Sequence, residues 1–91
     1  MGRPRKFRKI RFRPRSNYFK PQGIPMRALE EVVLRQDEME AIRLCDLEEL
    51  DMIGAAEKMQ VSKSTIHRLL ESAHKKIADG LISGKAINLG E

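Results

Sequence analysis

Apolar positions along this chain follow two different periods. Through the middle and the C-terminal half they recur every three or four residues, the spacing of amphipathic helices. Met39, Ile42, Leu44, Cys45 and Leu47 make one wide apolar face, which predicts a first helix from near Asp37 to about Glu48. Asp37 with Glu40 resembles a capping box, and Glu38, Glu40 and Arg43 are expected to stay in water. Met52, Ala55, Ala56 and Met59 form the stripe of a short second helix over about 52–59, capped by Asp51. Ile66, Leu69, Leu70, Ala73 and Ile77 continue a buried stripe in a third helix over about 63–82. Ser62 stands where its hydroxyl caps that helix, and Gly84 stands where a left-handed residue ends it. Gly80 inside the helix costs on the order of 1 kcal/mol against Ala, so the last turn is expected to fray.

A period of two marks the two ends. Arg8-Lys9-Ile10-Arg11-Phe12-Arg13 alternates like a short strand at about 8–12, and Lys85-Ala86-Ile87-Asn88-Leu89 is its expected partner. Pro14, Ser16, Asn17, Pro21, Gly23 and Pro25 predict a loop over 14–25. Tyr18 and Phe19 inside it either pack on the domain or stack on bases. Pro25 to Leu29 fits one helical turn, and Val32-Val33-Leu34 an extended or helical link. The expected organisation is a basic arm and loop over 1–25, a helical domain over 26–84 and a strand-like extension over 85–91. The fold class is mainly α, a three-helix core with short terminal strands.

Residues 51–73 are the most informative stretch. A short helix, a tight turn and a capped longer helix read as a helix-turn-helix, which lays its second helix in the DNA major groove. Ala56 suits the point where the two helices approach closely. Docked in this way, Ser62, Lys63, Ser64 and Thr65 face the groove, and His67, Arg68 and Glu71 follow one turn later. Arg68 is the best candidate for reading guanine through its planar fork, while Lys63 and Ser64 reach bases or phosphates. Thr65 either faces the groove or supports the turn, and Lys58 on the preceding helix is a phosphate candidate. The bland alternative is a helical hairpin that touches no nucleic acid.

Charge separates the two. The net charge of +5 conceals an asymmetry, for residues 1–29 hold Arg3, Arg5, Lys6, Arg8, Lys9, Arg11, Arg13, Arg15, Lys20 and Arg27 and no acid. Residues 30–61 hold ten acids against three bases, and residues 62–85 return to five bases against two acids. Two positive surfaces and a negative back are what a polyanion-binding protein carries. Arg3, Arg5, Lys6, Arg8, Lys9 and Arg11 are the arm's candidate DNA contacts. The expected partner is double-stranded DNA. A homodimer is suggested by Leu70, Ile77 and Leu81 near one face of the third helix, and the rival reading is an RNA- or ribosome-associated protein that uses the arm.

Other functions find little footing. Ninety-one residues with three Phe, one Tyr and no Trp make one domain with a modest, aliphatic core. No apolar run approaches the roughly 20 residues of a membrane span, and the N-terminus lacks a secretory pattern, so a cytoplasmic protein is expected. The single Cys45 reads as a small core hydrophobe. His67, Glu71 and His74 have a spacing that could ligate a metal, but they occupy the face needed for DNA. No metal, cofactor or enzymatic role is expected.

Tyr18-Phe19-Lys20-Pro21-Gln22-Gly23-Ile24-Pro25, Leu29-Glu30-Glu31-Val32-Val33-Leu34 and Glu40-Ala41-Ile42-Arg43-Leu44 are distinctive as a set. With Ala55-Ala56-Glu57-Lys58-Met59, Val61-Ser62 and Gly84-Lys85-Ala86, the chain resembles the prokaryotic domain of unknown function family 134, described as predicted DNA-binding proteins. The resemblance covers nearly the whole chain. It implies a helix-turn-helix core similar to the promoter-reading domain (region four) of sigma factors. The family pattern places Cys in the arm where this chain has Phe7 and Arg11, so an arm metal site has no ligands here. Glu49 and Gly54 also depart from the expected types. Gln60 stands where such turns often use Gly or Asn, which predicts a turn that is either slightly strained or shaped differently.

Overall fold

The computed structural model describes residues 18–89. The expected strand at 8–12 and the arm residues Arg3, Arg5, Lys6, Arg8, Lys9 and Arg11 lie outside the described residues. Strand β1 (Tyr18–Phe19) and a 3-10 turn (Met26–Ala28) lead to strand β2 (Glu31–Val33). Helix α1 (Gln36–Ile42) runs into a π-helical turn (Arg43–Leu47), and helices α2 (Met52–Met59) and α3 (Lys63–Ser83) follow before strand β3 (Ala86–Asn88). The protein is mainly helical with a few short strands, as its periodicity predicts.

The ends of α2 and α3 follow from their capping residues. Asp51 Oδ1 accepts the Gly54 N–H at 2.8 Å, and Ser62 Oγ accepts the Thr65 N–H at 3.1 Å. Each satisfies a donor that the first turn of a helix leaves without a partner. Gly84 closes α3 at φ 69°, and Gln60 closes α2 in the same left-handed region at φ 59°. That conformation lets the Val61 N–H reach the Ala56 carbonyl at 3.0 Å, so three residues turn the chain from α2 into α3.

Helix α1 begins differently from the Asp37–Glu40 box expected. Arg35 is its N-cap, and the Arg35 N–H donates to Glu38 Oε1 at 2.8 Å. The larger correction concerns water. Glu38 and Glu40 were expected on the surface, yet Asp37, Glu38 and Glu40 are all buried. Their charges are met by partners instead: Arg35 Nε lies 3.2 Å from Asp37, and Arg43 Nη2 lies 2.8 Å from Glu40. Glu38 accepts from Ser72 Oγ and, at 2.9 Å, from Lys76 Nζ, both on α3. Arg43 is half-buried for the same reason, not water-facing.

Two apolar clusters hold the helices and the sheet. The first joins Ala41, Leu44, Ala55, Ala56, Met59, Ile66, Leu69 and Leu70, with Cys45 packed on its edge. Burial pushes the Cys45 thiol above its ordinary range, aided by Asp46 and Asp51. The second joins Leu34, Met39, Ala73, Ile87 and Leu89, with Ile77 against it. Leu70 and Ile77 therefore pack inward, and only Leu81 of the suggested dimer face is strongly exposed. Among the described residues no helix is long and apolar enough to cross a membrane.

Strand β3 is the centre of a three-stranded sheet. It pairs antiparallel with β1 (Tyr18 opposite Asn88, Phe19 opposite Ile87) and parallel with β2 (Glu31 opposite Ala86, Val33 opposite Asn88). Tyr18 and Phe19 thus form a strand within the stretch expected to be loop, and both side chains are exposed. Gly80 corrects a second expectation. It is buried, not frayed, because β3 crosses α3 at the place where a side chain is missing.

Candidate nucleic-acid interface

The first turn of α3 presents a hydroxyl cluster. Ser62 Oγ caps the helix and lies 3.1 Å from Ser64 Oγ and 3.0 Å from Thr65 Oγ1. Thr65 is half-buried, so its hydroxyl supports the turn, while Ser62, Lys63 and Ser64 are exposed. His67 and Arg68 are exposed one turn further on, above the buried Ile66, Leu69 and Leu70. The six residues singled out between Ser62 and Arg68 therefore share one short stretch of helix, with Thr65 turned to the cap.

Lys58 is placed otherwise. It lines a polar pocket with Glu40, Arg43, Glu48, Glu57 and Gln60. Lys58 is exposed, and two of the carboxylates of that pocket, Glu40 and Glu48, are already paired with Arg43.

Ion pairing divides the cations of the domain into two groups. Arg35, Arg43, Lys76 and Lys85 each meet a carboxylate. The guanidinium groups of Arg35 and Arg43 are raised further above their ordinary value, first by Asp37 and Glu40 respectively. These cations are held inside the fold's own electrostatics. Among the described residues of α3, Lys63, Arg68 and Lys75 have no such pair. Lys75 was missed by the sequence reading, although its spacing of seven from Arg68 returns it to nearly the same side of the helix. Arg68 and Lys75 border one shallow pocket with Glu71 and Ser72.

The two histidines divide as well. His67 Nε2 stands 3.8 Å from Glu71 on the same helix. His74 Nε2 lies 2.6 Å from Asp46 Oδ2, linking α3 to the π-helical turn. The suggested His67, Glu71 and His74 constellation is therefore split between separate partners. Among the described residues, no three His, Cys, Asp or Glu side chains group as a metal site would require.

Behind this face, Glu38 sets the rotation of α3. Ser72 and Lys76 are one helical turn apart and both donate to the same buried carboxylate. Burial alone would raise the Glu38 pKa. Hydrogen bonds from Ser72, the Arg35 N–H and Lys76, with the charge of Lys76, outweigh it and hold the group below its ordinary value. No periodicity signals this contact, because its partners come from 34 and 38 residues away.

Together these features define a small, mainly helical protein whose longest helix shows solvent a hydroxyl-capped, cationic face. The chain belongs to the family described as Protein of unknown function DUF134, whose profile matches residues 1–90. It is 52% identical over 89 residues to a UPF0251 protein of Caldanaerobacter subterraneus subsp. tengcongensis, covering 98% of this chain and 75% of the relative. A UPF0251 protein of Prosthecochloris aestuarii is 51% identical, over 94% of this chain and 56% of the relative. One of Clostridium botulinum is 48% identical, over 98% of this chain and 57% of the relative. The chain thus spans little more than half the length of the last two. No solved structure matches it.

Proposed function

We propose that this protein binds duplex DNA in a sequence-specific way and regulates transcription, with α2 and α3 acting as a sigma-like helix-turn-helix. The observation that carries the reading is the division of cations. Among the described residues, Lys63, Arg68 and Lys75 on the exposed side of α3 make no close ion pair with a carboxylate, Lys75 meeting only the longer-range field of Asp79, while Lys76 on its inner side is anchored to Glu38. Unpaired cations along one helix face suit a phosphate-lined groove. The left-handed turn at Gln60, the Ser62 cap and the small Ala55 and Ala56 at the crossing support the same docking. Ser62, Lys63 and Ser64 lead into the groove and Arg68 follows, its fork suited to guanine.

The test is a titration of the full chain with fluorescent duplexes, one selected from a random library and one of scrambled sequence. Arg68→Ala is expected to weaken the selected duplex by about 1–3 kcal/mol and the scrambled one by less, with an unchanged circular dichroism spectrum. An equal loss on both makes Arg68 a phosphate contact. No binding to any duplex, together with tight binding to structured RNA, favours the rival reading of an RNA-associated protein and sinks this one.

A further inference from the structure

Between Lys58 and Ala78 the chain carries a single acid, Glu71, and it sits on the exposed face of α3. Its side chain is 73% exposed, and its only ion-pair neighbour among the described residues is the His67 ring at 3.8 Å. Arg68 and Lys75, at i−3 and i+4, are spaced to pair with it yet do not. Successive α-helical residues turn by about 100°, so Ser64 and Glu71, seven apart, fall within about 20° of each other. Arg68 and Lys75 form a row on one side of that line, and His67 and His74 a row on the other. Ser64 and Glu71 therefore occupy the midline of the exposed face, with Arg68 and Lys75 on one flank and two imidazoles, His74 held by Asp46, on the other.

We propose that Glu71 is a specificity-determining residue, which accepts a hydrogen bond from the exocyclic amino group of a cytosine in the major groove. The proposal rests on the DNA-binding reading above. A helix lying in that groove turns its flanks to the two phosphate walls and its midline to the base edges. A carboxylate on the midline is repelled by phosphate on every sequence. It gains only where a base offers a donor, and the cytosine amino group is the donor that Asp and Glu accept from. Glu71 thus weakens binding everywhere and weakens it least at the correct base pair. Discrimination by an unfavourable group is a common route to specificity. Seven residues of helix advance about 10.5 Å, or roughly three base pairs at about 3.4 Å each. The cytosine is accordingly placed about three base pairs from the base or phosphate met by Ser64.

Selection from a random duplex library with the full chain and with Glu71→Gln tests this. Glu71 is exposed, so the neutral isostere leaves the fold intact, and circular dichroism checks that. The native chain is expected to select cytosine at one position where the variant selects adenine, the base that Gln pairs with through two hydrogen bonds. Affinity of the variant for scrambled duplex should rise by about twofold to fivefold, the scale of one exposed charge interaction. Identical preferences for the native chain and Glu71→Gln overturn the proposal. Equal weakening of all duplexes by Glu71→Gln also overturns it, by giving Glu71 a helix-supporting role. If the native chain shows no sequence preference in any library, the DNA-binding reading itself fails, a separate and recognisable outcome.

Discussion

Gly80 of α3 meets Ile87 of β3 so closely that a Cβ built on it would stand 2.7 Å from Ile87 Cγ1 and 2.9 Å from Cδ1. The glycine that looked like a weak point in a helix is the seat on which the central strand of the sheet rests. Both groups are buried, and Ile87 belongs to the cluster with Leu34, Met39, Ala73 and Leu89. Even the smallest added side chain must displace the strand or force Ile87 into a poorer rotamer.

Gly80→Ala is therefore expected to destabilise the domain by about 1–3 kcal/mol, despite the better helix propensity of Ala. Chemical denaturation of the variant decides it. A midpoint equal to or above the native one would show that β3 has room to move away from α3. The double change Gly80→Ala with Ile87→Val removes a methyl group at the contact and should recover part of the loss.

Glu38 gives the domain an acid-sensitive joint. Its carboxyl is held below the ordinary glutamate value in the folded chain, so its stabilising contribution is complete above the unfolded value. That contribution is lost as the pH falls through the lowered folded value. Glu38→Gln should cost about 1.5–3 kcal/mol at neutral pH, the range for hydrogen bonds to a charged group, because Lys76 loses its counter-charge. The variant's stability should also fall less between neutral and acid pH than that of the native chain. Urea titrations at several pH values provide the measurement, and parallel pH profiles for the two proteins would assign the acid sensitivity to other carboxylates.

The same residue shows where reading a sequence stops. The stripe Met52, Ala55, Ala56 and Met59, the caps Asp51 and Ser62 and the terminator Gly84 were legible because each acts within one or two turns of its own position. The left-handed Gln60 was half legible, because the sequence left a strained turn and a differently shaped one both open. Burial of Asp37, Glu38 and Glu40 was not, since a charged residue reads as surface until its partners are known, and Ser72 and Lys76 are distant in sequence. The sheet was half legible. Residues 86–88 alternate visibly, but Tyr18 and Phe19 stand in a stretch whose Pro14, Pro21, Gly23 and Pro25 read as loop. In the candidate site, Ser62 to Arg68 followed from the helix start alone. Lys75 emerged once the ion pairs of the described part of α3 were known.

The last prediction concerns the arm, whose charge is known although its residues fall outside the described part of the chain. Arg3, Arg5, Lys6, Arg8 and Lys9 put five positive charges into residues 1–9. If DNA is the partner, each of these that neutralises a phosphate releases condensed counterions. Each then steepens the dependence of log affinity on log salt by about 0.9. Removal of residues 1–9 should flatten that slope by several such increments and weaken binding most at low salt. Sequence preference should persist, because Ser64, Arg68 and Glu71 belong to α3 and remain in place. Binding of the full and shortened chains to the same selected duplex, measured from low to moderate salt, distinguishes the outcomes. An unchanged slope makes the arm a spectator. Loss of sequence preference with little change in slope makes it a base reader of the minor groove, like the arms of homeodomains.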